Sequence, residues 1–224
     1  GSMVIQPDGV ERPYVAQKNN IKNFYQTGNS FSNSVALSGG NETARFRFSA
    51  SNLDNNSVIP NTSLNRKVIS LDVTGNLMKK VEFKANAQYN IEIGRNRPYV
   101  SDQPYNVNSA PQLMATNLDI RFLKPGYDEN GYEPRWHKGD ANNPYFITSK
   151  VRNHDRRNRL MGSFSAQYNI TDYLYLRGRF GIDYYNVASE AIIPTGIQYW
   201  TPSMTEGKLS TYETNAEGIL GFKK

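Results

Sequence analysis

The chain has 224 residues, 38% of them hydrophobic and 12% aromatic, with fifteen tyrosines, a net charge of +6 and no cysteine. The absence of cysteine excludes a disulfide framework and thiolate chemistry, and no run approaches the roughly 18 apolar residues of a membrane-crossing helix. The basic residues are scattered apart from Arg152 and the group Arg156, Arg157 and Arg159, which speaks against a nucleic-acid face.

Gly1-Ser2-Met3 reads as a vector-derived scar with no signal peptide behind it. Residues 4–30 form a mostly polar lead-in, with a turn at Pro7-Asp8-Gly9 and one short amphipathic turn over Ile21–Tyr25. Strands are expected over 31–38 and 43–52, joined at Gly39-Gly40-Asn41, and over 66–75 and 81–93, joined by residues 76–80. From Val81 to Ile93 every position alternates: Val81, Phe83, Ala85, Ala87, Tyr89, Ile91 and Ile93 share one face, and Glu82, Lys84, Asn86, Gln88, Asn90 and Glu92 the other. Thirteen residues at about 3.3 Å each reach across a bilayer core when tilted. Such alternation suits either a soluble sheet packed on one side or a barrel wall between lipid and a wet lumen.

Residues 94–155 interrupt the rhythm, and a loop of that length is functional or disordered. Within it Ser109–Ile120 has helical spacing, with Ser109 as N-cap and Leu113, Met114, Asn117 and Ile120 on one face. Asp128, Glu129 and Asn130 hint at a calcium loop but lack the alternating ligands and closing glutamate of an EF-hand. His137 near Asp140 and His154 beside Asp155 come with no nucleophile or metal motif, so no enzymatic activity, cofactor or metal is expected. Strands return over 159–170, 173–186 and 209–222, with a second long loop at 187–208. The reading is all-β: an antiparallel up-and-down meander of about seven strands over 31–224. Its links alternate short and long, as periplasmic turns and extracellular loops do in outer-membrane barrels.

Asn33-Ser-Val-Ala-Leu-Ser-Gly-Gly-Asn-Glu42, Phe46-Arg-Phe-Ser-Ala-Ser-Asn-Leu53, Val58-Ile-Pro-Asn61 and Asn65-Arg66 resemble the early barrel segment of the SusC/RagA family of TonB-dependent transporters. Tyr168–Tyr184 looks like a later hairpin of the same family, and the resemblance spans roughly residues 20–224. It implies the outer membrane of a Gram-negative bacterium and a plugged barrel of about 22 strands. It also implies import of nutrients such as glycans or peptides, energy from TonB–ExbB–ExbD and a SusD-like surface lipoprotein as lid. The chain departs from the family in having about seven strands and neither plug nor TonB box, so transport is not expected of it alone. A soluble secreted β-domain that binds glycans through its loops is the alternative.

On the family reading Phe46, Phe48, Phe83, Tyr89, Leu174, Phe180 and Ile182 face outer-membrane lipid. Tyr127, Tyr132, Trp136, Tyr145, Tyr199 and Trp200 are the aromatics that would stack on substrate or anchor a partner, or else pack the loops together. A meander with two open edges and an apolar face is expected to self-associate or to be covered by the 94–155 loop.

Overall fold

The computed structural model describes residues 1–224 except 104, 137, 138, 140 and 224. Seven strands form one sheet in sequential order: β3 (Asn29–Gly40), β4 (Ala44–Asn56), β5 (Ser63–Leu77), β6 (Val81–Arg95), β7 (Arg152–Asn169), β8 (Leu174–Ile193) and β9 (Ser203–Phe222). Every neighbouring pair is antiparallel, and the sheet does not close, so β3 and β9 are its edges. A hairpin of β1 (Met3–Ile5) and β2 (Glu11–Pro13) stands apart from it. Three short α-helices, α1 (Asn20–Phe24), α2 (Ser109–Leu113) and α3 (Pro144–Lys150), and a 3-10 helix at Ile120–Leu123 complete the fold.

All six registers run one residue against one residue, with no bulge. Because side chains alternate along each strand, uninterrupted register carries each residue's face to the next strand. Links 41–43, 78–80 and 170–173 lie at one end of the sheet, and links 57–62, 96–151 and 194–202 at the other. Short and long connections are therefore sorted by end.

The strands run longer than their alternation outlines. β7 begins at Arg152 instead of 159, β8 continues to Ile193 instead of 186, and β9 begins at Ser203 instead of 209. In these extensions Arg152–Asn158 is polar on both faces and Val187–Ile193 largely apolar on both. The period-two signal disappears while the backbone ladder continues.

The expected helix over 109–120 is a single turn. Asn108 occupies the N-cap without a side-chain bond, α2 ends at Leu113, and Met114 is extended with φ −70° and ψ 149°. Non-local partners take both groups that would close the last turn of a longer helix: Gln17 N–H donates to Thr116 O (2.7 Å) and Ile120 N–H donates to Asn20 Oδ1 (3.0 Å), while Gln6 Nε2 and Asn20 Nδ2 hold the next carbonyls, Asn117 O (3.1 Å) and Leu118 O. Leu113 is consequently 63% exposed, whereas Met114 and Ile120 are buried. The short turn expected near Ile21–Tyr25 forms as α1, and its Phe24 is buried.

The hydrophobic core is not in the sheet. Phe24, Ile59, Val107, Met114, Leu118, Ile120, Leu123, Tyr145, Phe146, Ile147, Val151, Ile193 and Ile197 form one cluster drawn from the N-terminal segment, all three long links and the end of β8. Among the seven strands only Gly94, Gln167 and Ile193 are buried. The 94–155 segment thus caps the long-link end and is not what covers the apolar face of the sheet. Its own apolar residues are satisfied by the other links, which they reach before they reach the sheet face.

Candidate functional site

Two surfaces carry chemistry: the sheet faces and the loop cap. Across the strands, side chains form continuous rows. Val35, Ala50, Ile69, Tyr89, Leu160, Tyr184 and Tyr212 are consecutive partners from edge to edge. The next row toward the short turns holds Leu37, Phe48, Leu71, Ala87, Gly162, Ile182 and Thr214, and the one after it Gly39, Phe46, Val73, Ala85, Phe164, Phe180 and Ala216. Below these lie Phe83 with Ala166, then Tyr168, Leu176 and Leu220, then Leu174 with Phe222. In β8 this apolar band runs from Leu174 to Tyr184. That is about 33 Å of strand at 3.3 Å per residue, or about 25 Å of height at a 40–45° tilt, the dimension of an outer-membrane apolar band.

Aromatic rings edge the band: Tyr89, Tyr184 and Tyr212 on the long-link side, Tyr168 and Phe222 on the short-turn side. Phe46, Phe48, Tyr89 and Phe180 are exposed on it, and Leu174 and Ile182 are half-buried. Phe83 is half-buried for a specific reason: its ring lies over its cross-strand partner Gly75, where a Cβ would come within 2.8 Å of the ring. The band ends above the tyrosine row, short of Ile91 and Ile93, whose rows are otherwise mostly polar.

The opposite face is polar and cross-paired. Arg47 faces Asp72, Arg179 faces Glu217, and Arg159 forms a two-pronged ion pair with Asp183, with Nε to Oδ1 at 2.9 Å. Near the long links Glu92 accepts from Arg66 (2.6 Å) and Arg97 (2.9 Å), and Asp155 binds Arg97 and Arg157. Arg97 thereby ties the start of the 96–151 link to β7, helped by Arg97 N–H donating to Asn153 O (2.9 Å) and Asn153 Nδ2 donating back to Arg97 O (2.8 Å). Sequence reasoning missed this network, although the Arg66–Glu92 partnership follows from the β5–β6 register.

The six candidate aromatics divide. Tyr145 is buried in the cap, edge-on to Phe24 at 5.4 Å, so it packs the core and cannot stack on an incoming ligand. Trp136, Trp200 and Tyr127 pack against the same cluster, Trp200 edge-on to Tyr105 at 5.7 Å and Tyr127 beneath the Lys150 ammonium at 4.0 Å. Tyr132 and Tyr199 are exposed at 52% and 42%. Arg135 donates to the Tyr199 hydroxyl at 3.2 Å, and the Tyr132 ring rests against Gly196. These two tyrosines are the accessible pair.

Between them lies Glu133, 2% exposed. Its carboxylate accepts from the Asn143 N–H, Asn142 Nδ2 (2.8 Å) and the Gln198 N–H (2.8 Å), while Gln198 Nε2 donates to its carbonyl (2.9 Å). Burial pushes this carboxyl above its ordinary value, opposed by the donors around it. Nothing in the sequence pattern marks Glu133, because both its partners and its burial are non-local.

Asp128 spends its carboxylate on its own turn, accepting from Asn130 N–H (2.9 Å) and Tyr132 N–H (2.8 Å). His154 contacts Asn96 Oδ1 at 3.0 Å, on the face opposite to Asp155. The pairing of His137 with Asp140 lies outside the described residues. Among the described residues no cluster of three His, Cys, Asp or Glu side chains is placed to hold a metal.

An open antiparallel sheet with one apolar and one charged face and with its links sorted by length defines a class: an all-β up-and-down meander. No family model matches the chain, and no curated protein does. Among solved structures it is similar to a chain of the RagAB peptide importer in the closed-closed state, with TM-score 0.64 and 14% identity over 88% of this chain and 22% of that one. It is similar to the open-open state of the same importer with TM-score 0.63 and 15% identity over the same shares. The likeness is one of fold, and the chain spans about a fifth of the length of those relatives.

Proposed function

We propose that the chain forms part of the wall, and part of the outward-facing loop cap, of an outer-membrane nutrient importer. The carrying observation is the uncovered apolar band, which crosses all seven strands, is tallest on β8 and is edged by aromatic rings. Water on that face would be opposed by the hydrophobic effect at every exposed Phe and Leu, whereas lipid removes the cost. The charged opposite face suits a hydrated lumen, and the likeness in fold to the RagAB peptide importer supports the same reading. On this reading the long links are extracellular.

Tyr132 and Tyr199 are then the cap residues positioned to touch substrate or a SusD-like surface lipoprotein, with glycans or peptides as cargo. Energy would come from TonB–ExbB–ExbD through parts of the importer beyond these strands. The chain is assigned no catalytic step.

The test is a charge scan in lipid. Phe180 sits mid-band, so Phe180→Arg in the chain folded into phosphatidylcholine vesicles is expected to lose about 2–4 kcal/mol. Asn186→Arg, above the tyrosine row, is expected to cost less than about 1 kcal/mol. Equal effects at the two positions, together with a monodisperse chain in detergent-free buffer, would move the assignment to a soluble glycan-binding domain.

A further inference from the structure

Toward the long links, the charged face of the sheet is not charged throughout. One row there reads Arg66, Glu92, Arg157, Val187 and Leu209 on β5 to β9. The registers are unbroken, so all five side chains project from the face opposite to the apolar band. Charge ends at Arg157, and two apolar side chains follow it. Leu209 is 57% exposed and Val187 half-buried.

The charged end of the row is built with its carboxylates underneath. Glu92 and Asp155 keep 15% and 9% of their side-chain surface, whereas Arg66, Arg97 and Arg157 keep 47%, 36% and 45%. Each of the two carboxylates holds two guanidiniums, so the surface presented here is cationic. Arg66 gives its Nε and Nη2 to Glu92, and Arg97 gives the same two nitrogens to Asp155 and Glu92. Arg157 gives only its Nε, to Asp155 Oδ2 at 3.1 Å. Among the described residues both of its Nη groups are unengaged, which leaves an open fork held in place by the carboxylate behind it.

The other acids do not close that fork. Arg159 holds both oxygens of Asp183. Glu213 lies two rows nearer the short turns and accepts from Asn215 Nδ2 at 3.0 Å. Glu190 and Glu206 are cross-strand partners on the opposite face. Three exposed guanidiniums over two buried carboxylates leave one positive charge uncompensated, and a planar carboxylate is the group that matches a free guanidinium fork.

Neighbouring strands lie about 4.8 Å apart, so Val187 and Leu209 flank the point at which that carboxylate would sit. A carboxylate whose adjoining carbon bears an apolar side chain fits both halves of the row. The C-terminal residue of a peptide has that form. A sugar acid offers the carboxylate but turns hydroxyls toward Val187 and Leu209, where the row has no polar group to meet them.

We propose that this row binds the C-terminus of a short peptide, with the terminal carboxylate on the Nη groups of Arg157 and an apolar last side chain on Val187 and Leu209. The inference rests on the reading of the charged face as a lumen. It specifies peptide as the cargo at a wall site separate from Tyr132 and Tyr199.

The experiment is calorimetric titration of N-acetyl-Ala-Ala-Leu into the 224-residue chain in detergent micelles. Its C-terminal amide, N-acetyl-Ala-Ala-Ser and glucuronic acid are titrated beside it. The free acid ending in leucine is expected to bind, the amide at least about tenfold more weakly and the serine peptide at least about threefold more weakly. Arg157→Gln is expected to weaken the leucine acid by at least about tenfold, and Asp155 keeps Arg97 in that variant. Leu209→Ser should erase the preference for leucine over serine, while Arg47→Gln, on the same face near the short turns, should leave every titration unchanged. The peptides are compared on the unaltered chain, so the result does not depend on a variant folding. Equal binding of acid and amide, an unchanged Arg157→Gln variant or no binding at all overturns the site. Glucuronic acid binding as tightly as the leucine peptide overturns the peptide assignment. Either outcome, with the contrast between Phe180→Arg and Asn186→Arg preserved in vesicles, strikes this site and spares the wall; loss of that contrast in a chain monodisperse without detergent strikes the wall, whatever the peptide does.

Discussion

At the scale of single residues, the loop cap depends on polar groups that are buried and fully engaged. Glu133 is raised above its ordinary value of 4.5 by burial, so the folded cap holds its proton more tightly than the unfolded chain does. Its contribution is therefore fully present below about pH 4.5 and is lost as pH rises through the folded value. Asp119 has the opposite sign. The Arg121 guanidinium holds its carboxyl below the ordinary 3.8, and its contribution appears above that value and is lost as pH falls. Glu133→Gln replaces an acceptor with a donor facing Asn142 Nδ2 or the Gln198 N–H. It is expected to cost about 1–3 kcal/mol and to flatten the decline in cap stability above pH 4.5, read from melting curves across pH 4 to 8. Gly126 is a second such position. Its φ of +95° and the backbone of Tyr145 and Phe146 leave no room for a Cβ, so Gly126→Ala should destabilise the cap by at least about 1–3 kcal/mol in the same assay.

At the scale of elements, alternation is legible where one face meets a different medium from the other, and nowhere else. The span Val81–Ile93 was readable from period two because its apolar side belongs to the band for most of its length. The first residues of β7 and the last of β8 were not, because beyond the band both faces have similar surroundings and pairing alone keeps them extended. The helix expected over 109–120 failed for the complementary reason: local spacing was right for one turn, but long-range partners claimed the Thr116 carbonyl and the Ile120 N–H that would have closed its last turn. Asn20 is the clearest of these partners, donating to Leu118 O and accepting from Ile120 N–H (3.0 Å), a link across a hundred residues. Asn20→Ala leaves both groups buried and unpaired. It is expected to cost about 1–3 kcal/mol for each and to release the N-terminal segment to limited proteolysis, whereas Asn33→Ala on β3 should leave the cleavage pattern unchanged.

At the scale of the whole molecule, order is divided between a loop cap with a buried core and a sheet without one. The cap closes a conventional core, while the sheet exposes Phe164, Leu176, Phe180 and Leu220 and leaves the backbone of β3 and β9 unpaired along their outer edges. Light scattering is expected to show detergent-dependent or oligomeric material. Hydrogen exchange should be slowest in the central strands and in buried cap amides such as Asn143, and fastest along β3 and β9. A monodisperse chain in plain buffer with protected edges would contradict the open sheet.

The sequence by itself determined the meander, because alternation, turn residues and the sorting of link lengths are local properties that strand geometry converts directly into antiparallel order. It also determined that the apolar residues of most strands share a face. Tertiary structure alone decided where the band stops, since that depends on register across all seven strands and not on any one of them. It also decided which aromatics remain accessible: Tyr145 and Tyr132 look alike in sequence, but one is enclosed by residues distant in the chain and the other is not. The reason is the same in both cases. Burial is a property of neighbours brought together by folding, and the nearest neighbours of the cap residues lie tens to a hundred residues away.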